Sequence, residues 1–381
     1  MLNRRILELE SVRGLAAMFV ILLHFFAWNP FIEIPIIQNS TLMVELFFVL
    51  SGFVIFNAYA HKLNTPNDVL NFQILRLGRL YPVHILFLVL FLLREVFKLM
   101  FEGPVGMHDI RVSAFGENTL QAFFEHVFLL QAVLPTGNAY TFNIPAWSIS
   151  VEFYTYFLFA VIVLCFSQRK MWVFGFLALV SIIMLSSQQT FGFEWLVRCF
   201  AGFFLGCLLA NIVKKIKLTV TRYASFLALA SLFLFLHFKP VDQLNVWIYF
   251  FSILLIATLI LAPNGYLNGV LKMKPLVWLG EMSFSIYMSH YFVLFLVTNY
   301  FKRVLKYPDV LDASGTWVPD FSTYTSVCAL ILFVLITILV AEFVYVFIEL
   351  PLRSKVRDYV NSDVSYRKEL VMLKEFKRAF A

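Results

Sequence analysis

Long runs of apolar residues, separated by short polar connections, dominate the chain. Each run approaches the roughly 17 to 25 residues that a helix needs to cross the hydrocarbon core of a bilayer. The pattern therefore predicts an all-α fold, a polytopic membrane helix bundle of about ten transmembrane helices. The predicted spans lie near 12–28, 42–60, 80–100, 147–166, 171–188, 194–213, 222–238, 245–262, 276–300 and 324–348.

One further stretch, 118–134, is also apolar but contains Glu125, His126 and Gln131. We interpret it as a helix that lies at the membrane interface or against the bundle. Counting it as a span would invert the orientation of every span that follows.

The composition agrees with a membrane protein. Hydrophobic residues make up 61% of the 381 residues and charged residues only 14%, and the mean hydropathy is +0.82. A soluble domain has a far more even balance. Because no polar stretch is long enough to form a soluble domain, we predict a membrane domain over 1–352 and a cytoplasmic basic tail over 353–381.

The distribution of positive charge predicts the orientation. Cytoplasmic loops of membrane proteins carry an excess of Lys and Arg. With ten spans and a cytoplasmic N-terminus, 22 of the 30 Lys and Arg residues fall on the cytoplasmic side, and both termini are cytoplasmic. This bias accounts for the net charge of +7, with anionic membrane lipids as its partners and no need for nucleic acid.

The first span contains two ionisable residues on one face. Arg13 and His24 are eleven residues apart, which is about three helical turns and roughly 16 Å along the axis. Ionisable groups within a membrane helix usually face the protein interior or a wet cavity. Four other ionisable residues fall in the outer half of their spans, at a depth similar to that of His24: Glu45, Glu152, Arg198 and His290. We therefore predict a polar pocket that opens to the external side.

A second group of charges lies at the opposite end of the predicted bundle. Arg76 and Arg79 share one face at the cytoplasmic mouth of the third span, and Arg13 is at about the same level. Three planar guanidinium groups suit the oxygens of a phosphorylated ligand. Contact with lipid phosphates explains the same residues equally well, and the spacing does not decide between the two.

Six sequence motifs, in order, resemble the membrane-bound acyltransferase family 3, which includes O-antigen and exopolysaccharide O-acetyltransferases. They are 10–14 together with His24, 44–53, 76–82, 147–154, 279–290 and 348–353. The first resembles the family's arginine, ten residues, histidine signature. Glu10 and Glu45 stand where the family commonly has Asp.

The resemblance implies a multi-pass O-acyltransferase of the bacterial inner membrane. It would move an acyl group, expected to be acetyl, from cytoplasmic acyl-CoA to a hydroxyl of a cell-surface glycan or lipid-linked saccharide. Acyl-CoA is then a co-substrate, bound by Arg13, Arg76 and Arg79, and we expect no permanently bound cofactor and no metal. The oligomeric state is left open.

The resemblance also implies a catalytic group. His24 would act as general base, because imidazole exchanges protons near neutral pH. Either Glu45 or Glu152 would fix its tautomer. The rival chemistry is a covalent acyl-histidine or a serine ester on Ser51, Ser148 or Ser150. The remaining candidates for the pocket are Glu10, Ser51, Trp147, Ser148, Arg198, Tyr287 and His290.

A transporter or flippase of a small or glycolipid substrate is the alternative class, since it also needs buried charges and a two-sided polar path. Transporters more often show half-repeats or paired broken helices. The sequence shows neither, so we favour the enzyme.

Overall fold

A computed structural model describes residues 6–25, 34–102, 113–239, 242–311 and 317–362. Its helices are α1 (Leu7–Leu23), α2 (Pro35–Gln38), α3 (Met43–Tyr59), α4 (Pro66–Glu102), α5 (Leu120–Val127), α6 (Ala146–Cys165), α7 (Lys170–Ser186), α8 (Glu194–Val213), α9 (Ala224–Phe238), α10 (Trp247–Leu261), α11 (Tyr266–Leu271), α12 (Lys274–Glu281), α13 (Ser283–Asn299) and α14 (Thr323–Val344). Helix α14 continues through a π-helical segment, Tyr345–Glu349. One unbroken helix therefore runs over Thr323–Ser362.

Each of the ten predicted spans overlaps a helix, so the mainly helical fold is confirmed. Within the described residues, four helices are long and apolar enough to cross a membrane: Ser40–Tyr59, Ala146–Cys165, Glu194–Val213 and Thr323–Ser362. Three further apolar helices, α7, α9 and α10, are shorter. Helix α1 begins five residues before the predicted span. The predicted span 276–300 is divided at Met282 into α12 and α13.

Two local predictions need correction. The all-α prediction misses strands β1 (Asp309–Leu311) and β2 (Trp317–Pro319), which pair antiparallel with Val310 opposite Val318. Three residues are too few for an alternating pattern to be recognised. The predicted helix over 118–134 is helical only in α5. It stops there because Leu129 adopts a φ of 57°, which an α-helix cannot continue through.

Two close helix contacts hold the bundle together. A Cβ on Gly52 of α3 would overlap the backbone carbonyl of Phe203 in α8, and a Cβ on Gly14 of α1 would lie 2.6 Å from the backbone nitrogen of Gly280 in α12. Small residues allow such approaches in membrane bundles. The glycines bring α3 against α8 and α1 against α12.

The core lies where α6, α7 and α8 meet α3, and it is built largely of phenylalanine. Phe159, Phe174, Phe203 and Phe204 are fully buried, with Phe174 stacked on both Phe159 and Phe204. This rigid aromatic packing fixes the helices whose outer ends carry the site residues.

Candidate functional site

A cavity of about 530 Å³ lies between the helix ends that the sequence predicts to be external, and we call it the outer cavity. Five of the predicted site residues line it, each from a different helix or helix end: His24, Glu45, Trp147, Arg198 and Tyr287. The structure therefore brings together most of the side chains that the depth argument placed at one level.

Glu45 and Arg198 form an ion pair at the floor of this cavity. Oε1 of Glu45 accepts from Nε and Nη2 of Arg198 at 2.6 and 2.5 Å. Glu45 is only 3% exposed, and its second oxygen, Oε2, is buried without a hydrogen-bond partner. Glu194 lies 3.9 Å from Nη1 of the same guanidinium. The hydroxyl of Tyr249 donates to the carbonyl of Arg198, so the pair is also fixed from α10.

His24 caps the outer end of α1 and faces a second histidine. The ring centroids of His24 and His290 are 5.0 Å apart. Nδ1 of His24 lies 2.7 Å from the carbonyl of Val20, and Nδ1 of His290 lies 2.7 Å from the carbonyl of Tyr287. Because a carbonyl only accepts, each Nδ1 carries a proton, and in a neutral ring the lone pair is then on Nε2.

The backbone carbonyl of Val20 thus accepts from Nδ1 of His24, while the two carboxylates expected beside it have other described partners. Glu45 is paired with Arg198, as described above. Glu152 accepts a short hydrogen bond from the hydroxyl of Tyr156. The other side of that hydroxyl meets Ser51, at 2.7 Å.

Glu152 has other neighbours than the depth count predicted. It lies six residues into α6, which begins at Ala146, and Glu45 lies five residues into the continuous helix that begins at Ser40. The two carboxylates are thus at similar distances from their helix ends, and the difference between them is in the charges around them. Glu152 is within electrostatic range of Arg13 and Arg79 and therefore belongs with the inner charges.

A second cavity, of about 560 Å³, lies at the other end of α1, and we call it the inner cavity. Glu10, Arg79, Glu349 and Arg353 line it. Oε2 of Glu349 accepts from Ser285 at 2.7 Å, and the carboxylate lies within electrostatic range of Arg79 and Arg353. The π-helical segment that contains Glu349 turns it toward this cavity, a common use of such segments.

The three arginines of the predicted clamp have different surroundings. Arg79 lines the inner cavity. Arg13 is 3.9 Å from Glu10 and within electrostatic range of Arg79. Arg76 turns away to donate to the hydroxyl of Tyr59 at 3.1 Å. Its guanidinium lies within 6 Å of three aromatic rings, Tyr59, Phe72 and Tyr156.

Two arginines of the inner cavity were not predicted from the sequence. Arg353 and Arg357 line it, although both fall in the predicted tail. The helix passes the predicted boundary at 352 without a break, and a Cβ on Gly78 of α4 would touch Val356. The spacing of four residues, one helical turn, was the available signal.

Helix α1 connects the two cavities, because Glu10 lines the inner one and His24 the outer one. Fourteen helical residues separate them by about 21 Å. The cavities come closest along α13, where Phe284 lines the inner and Tyr287 the outer cavity. Those two residues are less than one turn apart, about 4.5 Å along the axis.

The structure is thus a helical bundle with a histidine at one cavity and several arginines at another. The chain belongs to the acyltransferase family whose defining unit is described as an acyltransferase domain, and the match covers residues 6–345. The resemblance inferred from the six motifs is therefore confirmed.

Curated relatives include two bacterial O-acetyltransferases. The chain is 26% identical over 388 aligned residues to O-acetyltransferase OatA of Staphylococcus aureus, covering 91% of this chain and 57% of that protein. It is 26% identical over 390 aligned residues to the putative peptidoglycan O-acetyltransferase YrhL of Bacillus subtilis, covering 93% and 56%. The chain thus spans little more than half the length of these relatives. No solved structure gives a significant match.

Proposed function

We propose that the protein transfers an acetyl group from cytoplasmic acetyl-CoA, held at the inner cavity, to a hydroxyl of a saccharide held at the outer cavity. The observation that carries this proposal is the position of His24 and Arg79. In a member of an acyltransferase family, a histidine lines one cavity, and an arginine suited to phosphate lines another at the opposite end of α1.

The proposal includes the orientation in the membrane. Ten helices cross the bacterial inner membrane, with both termini and the inner cavity on the cytoplasmic side. The overlap of ten predicted spans with helices supports the count. The excess of Lys and Arg on that side supports the direction.

The donor is recognised by its phosphates. Arg79, Arg353 and Arg357 present guanidinium groups to the inner cavity, and phosphate oxygens accept paired hydrogen bonds from such groups. The pantetheine arm then points outward, and its thioester approaches His24 where the two cavities come closest along α13.

The chemistry is direct transfer with His24 as general base. The acceptor hydroxyl oxygen attacks the thioester carbonyl carbon while Nε2 of His24 takes the hydroxyl proton. The new ester C–O bond forms as the C–S bond breaks, and the departing CoA sulfur takes the proton from His24. Neutral His290, whose ring lies beside His24, leaves the approach to the base free of a permanent charge.

The acceptor is a sugar hydroxyl of a cell-surface glycan or its lipid-linked precursor. One relative's name specifies peptidoglycan, which supports a glycan acceptor. Aromatic and polar side chains together line the outer cavity, and this combination is suited to bind a saccharide.

The test uses purified protein in proteoliposomes, acetyl-CoA labelled on the acetyl group, and candidate saccharides. We expect label on the saccharide with wild-type protein and with His237→Gln, a matched change at an exposed histidine. His24→Gln should lose transfer at least about a hundredfold, the scale of lost general-base catalysis. Equal transfer by His24→Gln would contradict the mechanism, and saccharide movement without acetylation would favour a transporter.

A further inference from the structure

We propose that the outer cavity selects an uncharged pyranose, which stacks on Trp195 and Tyr140 and donates a hydroxyl hydrogen bond to Oε2 of Glu45. This inference rests on the proposed function, since it specifies the acceptor of the same site. It concerns saccharide binding, which is measured without catalysis.

The aromatic wall of the cavity is the first observation. Trp195 and Tyr140 meet edge to face with centroids 5.1 Å apart, and Trp147 packs behind Trp195 at 4.7 Å. All three rings line the cavity. Tyr140 is 54% exposed, whereas Trp147 is buried. The wall therefore offers accessible ring surface on a fixed base.

Arg198 locks this wall in place. Its guanidinium carbon lies 4.8 Å from the ring centroid of Trp147 and 5.1 Å from that of Trp195. Two cation–π contacts, together with the ion pair to Glu45, hold the rings before any ligand arrives. A preformed platform reduces the entropy lost on binding.

A pyranose matches such a wall. One face of the pyranose ring presents C–H bonds whose hydrogens are slightly positive. These hydrogens pack against the face of an aromatic ring, which is slightly negative. Its rim of hydroxyl groups then needs acceptors. Glu45 lines the cavity, and its Oε2 is a buried acceptor without a described hydrogen-bond partner. A buried unpaired oxygen is costly unless a ligand satisfies it.

The charges of the cavity decide which sugars it takes. Among its described lining residues, Arg198 alone carries a permanent positive charge, and that charge is shared by Glu45 and Glu194. The third carboxylate, Asp242, lies 3.1 Å from Lys239, and that hydrogen bond lowers its pKa.

An anionic sugar therefore meets an excess of negative charge and no uncommitted cation among these residues. Rejection of a competitor by like charge is a common source of specificity. An uncharged ring meets no such penalty.

The first experiment measures saccharide binding by calorimetry with the full chain in nanodiscs. The probe is a soluble N-acetylhexosamine oligosaccharide. Trp195→Ala should weaken binding about fivefold to tenfold, the scale of one lost aromatic contact. Trp195→Phe, which keeps a ring face, should stay within about threefold. Trp172→Ala, at a tryptophan 82% exposed outside the site, is the matched control.

Acetyl-CoA binding is the second readout, and it should not change in either Trp195 variant. Equal saccharide affinity in wild type and both variants would overturn the stacking proposal. So would a parallel loss of saccharide and acetyl-CoA affinity in Trp195→Phe, because that result indicates a purely structural role.

The charge argument is tested on wild-type protein and on one variant, Glu194→Gln. The same oligosaccharide oxidised to the carboxylate at C6 should bind at least about fivefold more weakly than the uncharged form, and Glu194→Gln should narrow that ratio. Equal or tighter binding of the oxidised form would overturn the inference. Because these are binding measurements, absence of acetyl transfer would contradict only the proposed function.

Discussion

Removing Arg198 should destabilise the protein more than removing any exposed charge, because its partner is buried. The change Arg198→Leu leaves the carboxylate of Glu45, 3% exposed, without its only described cationic partner. One of its oxygens already lacks a hydrogen bond. The other loses two, at 2.6 and 2.5 Å.

The size of the effect follows from two estimates. At an effective dielectric constant of about 20, unit charges 2.6 Å apart attract by roughly 6 kcal/mol. The desolvation of both charges and the relaxation of the protein offset part of this attraction. Removing one partner of a buried ion pair costs about 3 to 5 kcal/mol of stability. We therefore expect the free energy of unfolding to fall by about 3 to 5 kcal/mol.

The measurement is unfolding in mixed micelles by titration with denaturing detergent, followed by circular dichroism. Glu194→Gln is the matched control, because it removes a 55% exposed carboxylate from the same guanidinium and should cost less than about 1 kcal/mol. The double change Glu45→Leu with Arg198→Leu should recover much of the loss, since no buried charge is left. A cost below about 1 kcal/mol for Arg198→Leu, or simple addition of the two single costs, would refute the reasoning.

Two further predictions concern packing and hydrogen bonding, measured by the same unfolding titration. Gly52→Ala should destabilise by at least about 1 to 3 kcal/mol, because the new methyl group overlaps the carbonyl of Phe203 and overpacking is costly. Gly175→Ala, where nothing lies within 4 Å of the added atom, should be neutral or stabilising; a comparable loss at both positions would argue against a clash. Tyr156→Phe should cost about 1 to 3 kcal/mol by removing a donor to the half-buried carboxylate of Glu152, and an unchanged midpoint would exclude that contact.

The sequence was sufficient to predict the helices and one end of the site. Apolar runs fix where helices start and stop, and counting residues from the ends of those runs placed His24, Glu45 and Arg198 at one level. Those three line the outer cavity together. The three residues share a level because each lies within about two turns of a helix end.

The same count failed to identify the neighbours of each side chain, because these depend on how the helices pack. Glu152, six residues into α6, lies with the inner charges and not beside His24. The pairing of Glu45 with Arg198 joins residues 153 positions apart, and hydropathy does not reveal which helices are neighbours. His24 was expected to need a carboxylate. The carbonyl of Val20, four residues earlier in its own helix, supplies the contact.

The inner cavity shows why composition alone misassigned two arginines. A basic segment after the last span reads as a solvated tail, because positive charge normally marks the cytoplasmic end of a membrane helix. Here the helix continues past that end to Ser362 and packs on α4 through Gly78 and Val356. With its packing fixed in this way, the continued helix turns Arg353 and Arg357 to the cavity that Arg79 lines from α4. In our proposal, the same charges mark the cytoplasmic side of the chain and form the wall at which we place the donor's phosphates.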